Sequence, residues 1–197
     1  MLMTVAATLP PSGSLRPHTY RTLLGLLFST GIRIGEAFAL NIEHFFPEEQ
    51  RLYIAEGKFR KSRWLVLSAS TSLALERYLD RRKIMAANGP ETPLLLNERR
   101  QRLCHPTVRQ AFMHMLHESG IPWIRHVGPR IHDLRHSFAV NRLLAWYRDG
   151  EDVNARLPAL ATYMGHVDIS STQVYLQPTA ELLGEVDRRF HEHYLKH

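Results

Sequence analysis

Residues 51–67, RLYIAEGKFRKSRWLVL, decide the fold class. Arg51 to Ala55 and Arg63 to Leu67 alternate between polar and apolar side chains and are rich in Tyr, Ile, Trp and Val. The polar segment EGKFRKS separates them. Two short alternating runs joined by a turn are the pattern of a β-hairpin. The segments around it have helical spacing. Upstream, Leu23, Leu24, Leu26, Leu27 and Phe28 make Thr19 to Thr30 a buried helix that Gly31 can stop, and Ile34 to Leu40 a second, shorter one. Downstream, Thr71 to Asn88 places Leu75, Tyr78, Leu79 and Arg82 near one side before Gly89-Pro90, and Leu94 to Leu96 is extended. His105 to Ser119 aligns Val108, Phe112, Met115 and Leu116; His132 to Tyr147 and Leu157 to Met164 are helical; Ser170 to Leu176 is a short helix. Thr179 to Leu195 carries the stripe Leu182, Leu183, Val186, Phe190 and Tyr194. The expected class is α+β, mainly α-helical with a small antiparallel sheet.

Composition bounds the function. With 44% hydrophobic residues in 197, the chain can bury a core, and no apolar run is long enough to span a bilayer as a helix. One cysteine, Cys104, allows no internal disulfide and no cysteine-based zinc site, which fits a cytoplasmic setting. The balance of 25 Lys+Arg against 19 Asp+Glu gives +6, and all but four of the cations are arginine. Guanidinium forks suit phosphate oxygens, although a GC-rich genome would also spell its cations as arginine. Residues 1–16, with Pro10, Pro11, Ser12, Gly13 and Ser14, read as a flexible lead-in to a domain over 17–197.

Four separated segments can carry chemistry. In TGIRIGEAFAL (30–40), Arg33 sits among apolar residues and Glu36 lies one helical turn on, placed to hold its guanidinium or to staple two helices. In EGKFRKSR (56–63), Lys58 stands at the hairpin tip near Arg60, Lys61 and Arg63, a basic point for a groove or a phosphate, or a solvated turn. In IHDLRHSF (131–138), His132 and Arg135 share a helix face, pairing a group that moves protons near pH 7 with one that stabilises phosphoryl charge. His132 and His136 also stand four apart like a zinc-binding HExxH with Asp133 for the glutamate, and His166 or His191 could complete that set. In YMGHVDISSTQVYL (163–176), His166 follows a helix-ending glycine and precedes Tyr175, whose hydroxyl attacks only where cations stabilise the phenolate.

The order of these segments is more specific than any one of them. Arg33, the Lys58 hairpin, His132-x-x-Arg135, Gly165-His166 and then Tyr175 form a series that resembles the catalytic domain of the tyrosine recombinases, the phage-integrase and Xer-type family, over residues 17–190. The resemblance implies the DNA breaking-rejoining fold and cleavage and rejoining of DNA strands through a covalent 3′-phosphotyrosyl intermediate, without metal, ATP or other cofactor. It implies Tyr175 as nucleophile, Arg33 and Arg135 as clamps on the scissile phosphate, His132 as proton acceptor, Lys58 as donor to the leaving 5′-oxygen, and His166 as a hydrogen-bond donor to the phosphate. Glu36 and His136 would support, and Arg60, Lys61 and Arg63 would contact DNA. The implied partners are double-stranded DNA and further copies of the chain, as a tetramer on DNA, with the C-terminal stripe packing in cis or in trans.

The chain also departs from the pattern. Phe59 stands where many relatives have glycine after the Gly-Lys pair, which makes Lys61 an alternative to Lys58. The stretch from Arg135 to His166 looks longer than in compact Xer-type members, with RDGED (148–152) as the insertion, and is similar to integrases of insertion elements and transposons. Only 32 residues precede Arg33, so the expectation is a catalytic domain without the helical DNA-clamping domain of two-domain members. The competing expectations are an impaired DNA-binding remnant, a type IB topoisomerase with the same chemistry, and a zinc hydrolase.

Overall fold

The computed structural model describes residues 1–55, 62–86, 88–124 and 128–166. Two compact units divide the chain, residues 1–135 and 136–197.

The first unit opens with helix α1 (Leu2–Ala6), which packs on α2 (Arg16–Thr30) and α5 (His105–Glu118). The expected flexible lead-in is therefore ordered: Ala6, Leu9 and Leu15 are buried. Ala6 and Leu9, with half-buried Leu2 and Val5, cover the core beside α2, and the Pro-Ser-Gly stretch is a turn with Gly13 at positive φ. Helix α2 buries Leu23, Leu24, Leu26 and Leu27 and ends where Gly31 takes a left-handed φ of 61°, its N–H donating to Leu27 O. Ile32 then turns the chain into α3 (Ile34–Ala39).

A 3-10 turn (Ile42–His44) leads into a three-stranded antiparallel sheet, β1 (Phe45–Phe46), β2 (Arg51–Ile54) and β3 (Arg63–Val66), in sequential order. The hairpin lies where alternation put it; the two-residue β1 is too short to leave a sequence period. In register, Leu52 faces Leu65 and Ile54 faces Arg63. Leu52, Ile54 and Leu65 are buried, whereas Trp64 and Val66 are exposed on the opposite face.

Helix α4 (Ala69–Met85) packs on α2 and is capped by Ser68, whose Oγ accepts from Thr71 N. It stops at Met85 rather than at the expected Asn88. The Arg82 fork draws the following chain back, donating to Asn88 Oδ1, Thr92 Oγ1 and Pro93 O. Buried Tyr78 links three elements: its hydroxyl accepts from Leu96 N at 3.1 Å and pairs with Thr19 Oγ1 at 3.2 Å, while Thr19 donates to Leu96 O at 2.8 Å. These bonds satisfy polar groups that burial would otherwise penalise, and they fix the extended segment 94–96 against α2 and α4.

Helix α6 (Asp133–Arg148) begins in the first unit and continues into the second, followed by α7 (Val153–Met164). The second unit has its own core: Phe138, Ala139, Val140, Leu143 and Leu144 of α6 meet Val153, Leu157, Leu160 and Met164 of α7. Helix α7 starts four residues before the expected Leu157. Asp152 caps it by accepting from Ala155 N, and Pro158, a break in the sequence pattern, is carried inside the helix. The expected helices Ser170–Leu176 and Thr179–Leu195 lie outside the described residues. Among the described residues no helix is long and apolar enough to cross a membrane.

Candidate active site

The first arginine of the sequence series stands at the start of α3. Arg33 has extended backbone (φ −68°, ψ 141°), and Glu36, in the first helical turn, reaches back to accept from Arg33 N at 3.1 Å. The same carboxylate takes Arg33 Nη1 at 3.0 Å and, from β3, Arg63 Nη1 at 3.0 Å and Nη2 at 2.8 Å. Glu36 is thus the hub of an Arg–Glu–Arg cluster whose side chains are 22%, 7% and 12% exposed. Burial alone would push the Glu36 carboxyl up. The bonds and charge of Arg63, then those of Arg33, outweigh it and hold the pKa below the ordinary value.

Arg63 differs from its expected role as a DNA-facing cation of the hairpin. It pairs with Ile54 and lies two residues from Leu65, so strand alternation turns it to the core face, and its fork is spent on Glu36. Its place is explained by parity: in a strand with Leu65 inward, position 63 must also point inward.

The second arginine of the series, Arg135, is buried in the first turn of α6, 3% exposed, and its Nη1 donates to the carbonyl oxygen of Gly31. Gly31 is the left-handed residue that ends α2, two positions before Arg33. Its outward-turned carbonyl therefore brings the second arginine to the backbone that presents the first. No sequence motif announces this acceptor, which comes from the cap geometry.

His132 lies just before α6 at the surface of the same unit. Desolvation lowers its pKa most, followed by the charge of Arg135. Asp133 pulls the other way, and Arg130 and Arg33 add smaller lowering effects. The imidazole thus sits in the positive field of three arginines and is held toward its neutral, proton-accepting form. Arg130 was not singled out in the sequence. It donates to Asp133 from its backbone N at 2.8 Å and from Nη2 at 3.1 Å, anchoring the loop before His132. Its signal was its position two residues before the histidine.

His166 belongs to the second unit. Gly165 ends α7 with φ 69°, and His166 N donates to Ala161 O at 2.9 Å, so the backbone carrying the imidazole is tied to the helix end. His136 is exposed on α6. Lys58, Arg60, Lys61 and Tyr175 lie outside the described residues, as does His191 of the zinc alternative. Among the described residues no three His, Cys, Asp or Glu side chains gather as metal ligands.

The family model described as the phage integrase family matches residues 2–181. The chain belongs to that family. Integrase/recombinase y4rB of Sinorhizobium fredii is 38% identical over 89% of this chain and 56% of its own length. The chain thus spans little more than half of this curated relative. The crystal structure of XerA recombinase matches with a TM-score of 0.73 at 24% identity, over 96% of this chain and 61% of that one. The structure of the Tn1549 transposon integrase in complex with transposon right end DNA matches at a TM-score of 0.67 and 15% identity, over 96% of this chain and 62% of that one. Both likenesses show the fold: the mainly helical domain with a small antiparallel sheet is that of tyrosine recombinase catalytic domains.

Proposed function

We propose that this phage-integrase-family chain cleaves and rejoins DNA strands, with Tyr175 as nucleophile and a 3′-phosphotyrosyl intermediate. The observation that carries the reading is the tie between the two arginines of the series: Arg135 donates to Gly31 O, two residues from Arg33, and His132 lies in the field of both. A phosphodiester under in-line attack spreads charge over its equatorial oxygens, which fixed guanidinium groups compensate.

In this mechanism Arg33 and Arg135 hold the non-bridging oxygens. His132, kept neutral, accepts the tyrosine proton as the Tyr175 oxygen bonds to phosphorus. The phosphorus–oxygen bond to the 5′ side breaks, and Lys58 supplies the proton of the new 5′-hydroxyl, with Lys61 as the alternative donor. His166 donates a hydrogen bond to the phosphate. Because the phosphotyrosyl ester keeps the free energy of the broken ester, a 5′-hydroxyl from a second strand can attack it, re-forming a phosphodiester and releasing the tyrosine, without ATP or a metal ion. Glu36 and Arg63 act behind the phosphate by setting the Arg33 fork. Arg60 and Lys61 contact the DNA backbone, and the strand exchange proceeds in a tetramer on duplex DNA.

A single catalytic domain that takes in the packed first residues, since the family match begins at residue 2, belongs to the same proposal, as does a cytoplasmic setting. A second reading, a DNA-binding piece without cleavage, draws on the span of 56% of the relative y4rB. A suicide substrate with a nick beside the scissile phosphate distinguishes them. The wild-type chain is expected to form a covalent protein–DNA adduct that Tyr175→Phe abolishes. An adduct that survives in Tyr175→Phe refutes the nucleophile; duplex binding by the wild type with no adduct establishes the second reading.

A further inference from the structure

A groove of about 460 Å³ runs between α2 and α4, with Met3 of α1 as a wall, in the first unit and apart from the Arg33 cluster. Met3, Gly25, Leu26, Ala74 and Leu75 give it an apolar floor, with the hydroxyls of Ser29, Ser70 and Thr71 at one end. One end is cationic: Arg21 of α2, a helical turn from His18, meets Arg77 and Arg81, a turn apart on α4. Their convergence is physical, because the charges of Arg81 and Arg21 lower the pKa of His18 after desolvation. No carboxylate lines the groove. Asp80, the acidic residue between the two α4 arginines, is paired with Lys83 at 3.1 Å instead. Among the described residues Arg21, Arg77 and Arg81 make no ion pair.

We propose that the α2–α4 groove docks an acidic, amphipathic segment of a partner protein, its aliphatic or aromatic anchor on the Gly25–Leu75 floor and its carboxylates on the arginine end. Charge complementarity selects the occupant. A duplex backbone would engage the arginines but gain nothing from the apolar floor, and a small inorganic anion would leave that floor wet. A helix or extended segment with one apolar face and acidic flanks satisfies both parts. Gly25 keeps the floor open: a Cβ there would already approach Met3 Cε to 3.7 Å, so a larger side chain would occupy the space.

Selection of short random peptides displayed on phage, against the full chain with counter-selection on the exposed double variant Arg77→Glu/Arg81→Glu, tests this. Enriched peptides are expected to combine at least two acidic residues with a large apolar one. In fluorescence anisotropy the double reversal should weaken them about tenfold or more, and added salt should weaken them further. Gly25→Met should weaken them with no change in charge, its fold checked by circular dichroism and thermal melting. Enrichment without acidic residues, equal binding to the double variant, or displacement of the peptide by an equimolar duplex oligonucleotide would each overturn the proposal.

Discussion

Removing Arg63 tests whether the Glu36 hub is an energetic element or only a contact. Glu36 accepts four hydrogen bonds, two from each arginine, with its side chain 7% exposed. Breaking a buried ion pair by deleting one partner costs about 3–5 kcal/mol, because the other charge is left desolvated. Here Arg33 stays after Arg63→Met and keeps part of the compensation, so the expected loss is about 2–3 kcal/mol. Glu36→Gln leaves two guanidinium groups facing each other across a neutral amide and should cost a similar amount, about 2–3 kcal/mol. If both arginines act through one carboxylate, the double variant is less destabilised than the sum, with a coupling of about 1 kcal/mol or more.

Urea unfolding at pH 7, followed by circular dichroism and tryptophan fluorescence, gives all four corners of that cycle. The pH dependence supplies an independent sign. The folded Glu36 pKa lies below its ordinary value of 4.5, so the unfolded chain binds the proton more readily. This stability is present above pH 4.5 and lost as pH falls through the folded pKa. Glu36→Gln should flatten that acid limb. Additive single variants, or losses below about 0.5 kcal/mol, the scale of ordinary surface changes, would refute the reasoning.

Tyr78→Phe should cost about 1–3 kcal/mol in the same urea experiment, because it strands the buried N–H of Leu96 while leaving packing intact; a neutral result would show that Leu96 N finds another acceptor. For the proposed cleavage, the folded His132 pKa lies below 6.5, so the proton-accepting form persists above that value and is lost as pH falls through the folded pKa. The pH–rate profile of adduct formation should therefore have its acid limb below pH 6.5, and His132→Gln should remove it; a limb centred above that value would contradict the assignment.

Much of the fold was legible because its signals are local. Leu23 to Leu27 with Gly31 behind them spell a buried helix and its stop, and the alternation around Tyr53 and Trp64 spells two strands. The misjudged boundaries share a cause: the deciding partner is off the local pattern. Arg82 ends α4 through Asn88, Thr92 and Pro93, Asp152 starts α7 ahead of a proline, and the first residues are ordered because α2 and α5 give them a surface to cover. In the candidate site, Arg33, Glu36, His132, Arg135 and His166 were all named from residue type and order. Arg63 was grouped with the DNA-contacting cations of the hairpin, whereas its guanidinium bonds Glu36, as the parity of β3 requires.

The linear order of residue types was enough to point to the family, which the match over residues 2–181 bears out. Which groups Arg63 and Arg135 bond to was decided only in three dimensions. Glu36 commits Arg63 to support Arg33, and the carbonyl of Gly31, exposed by a left-handed helix end, receives Arg135 from a residue more than a hundred positions away. Hydrogen bonds across that separation depend on chain packing, and no local period of the sequence records them.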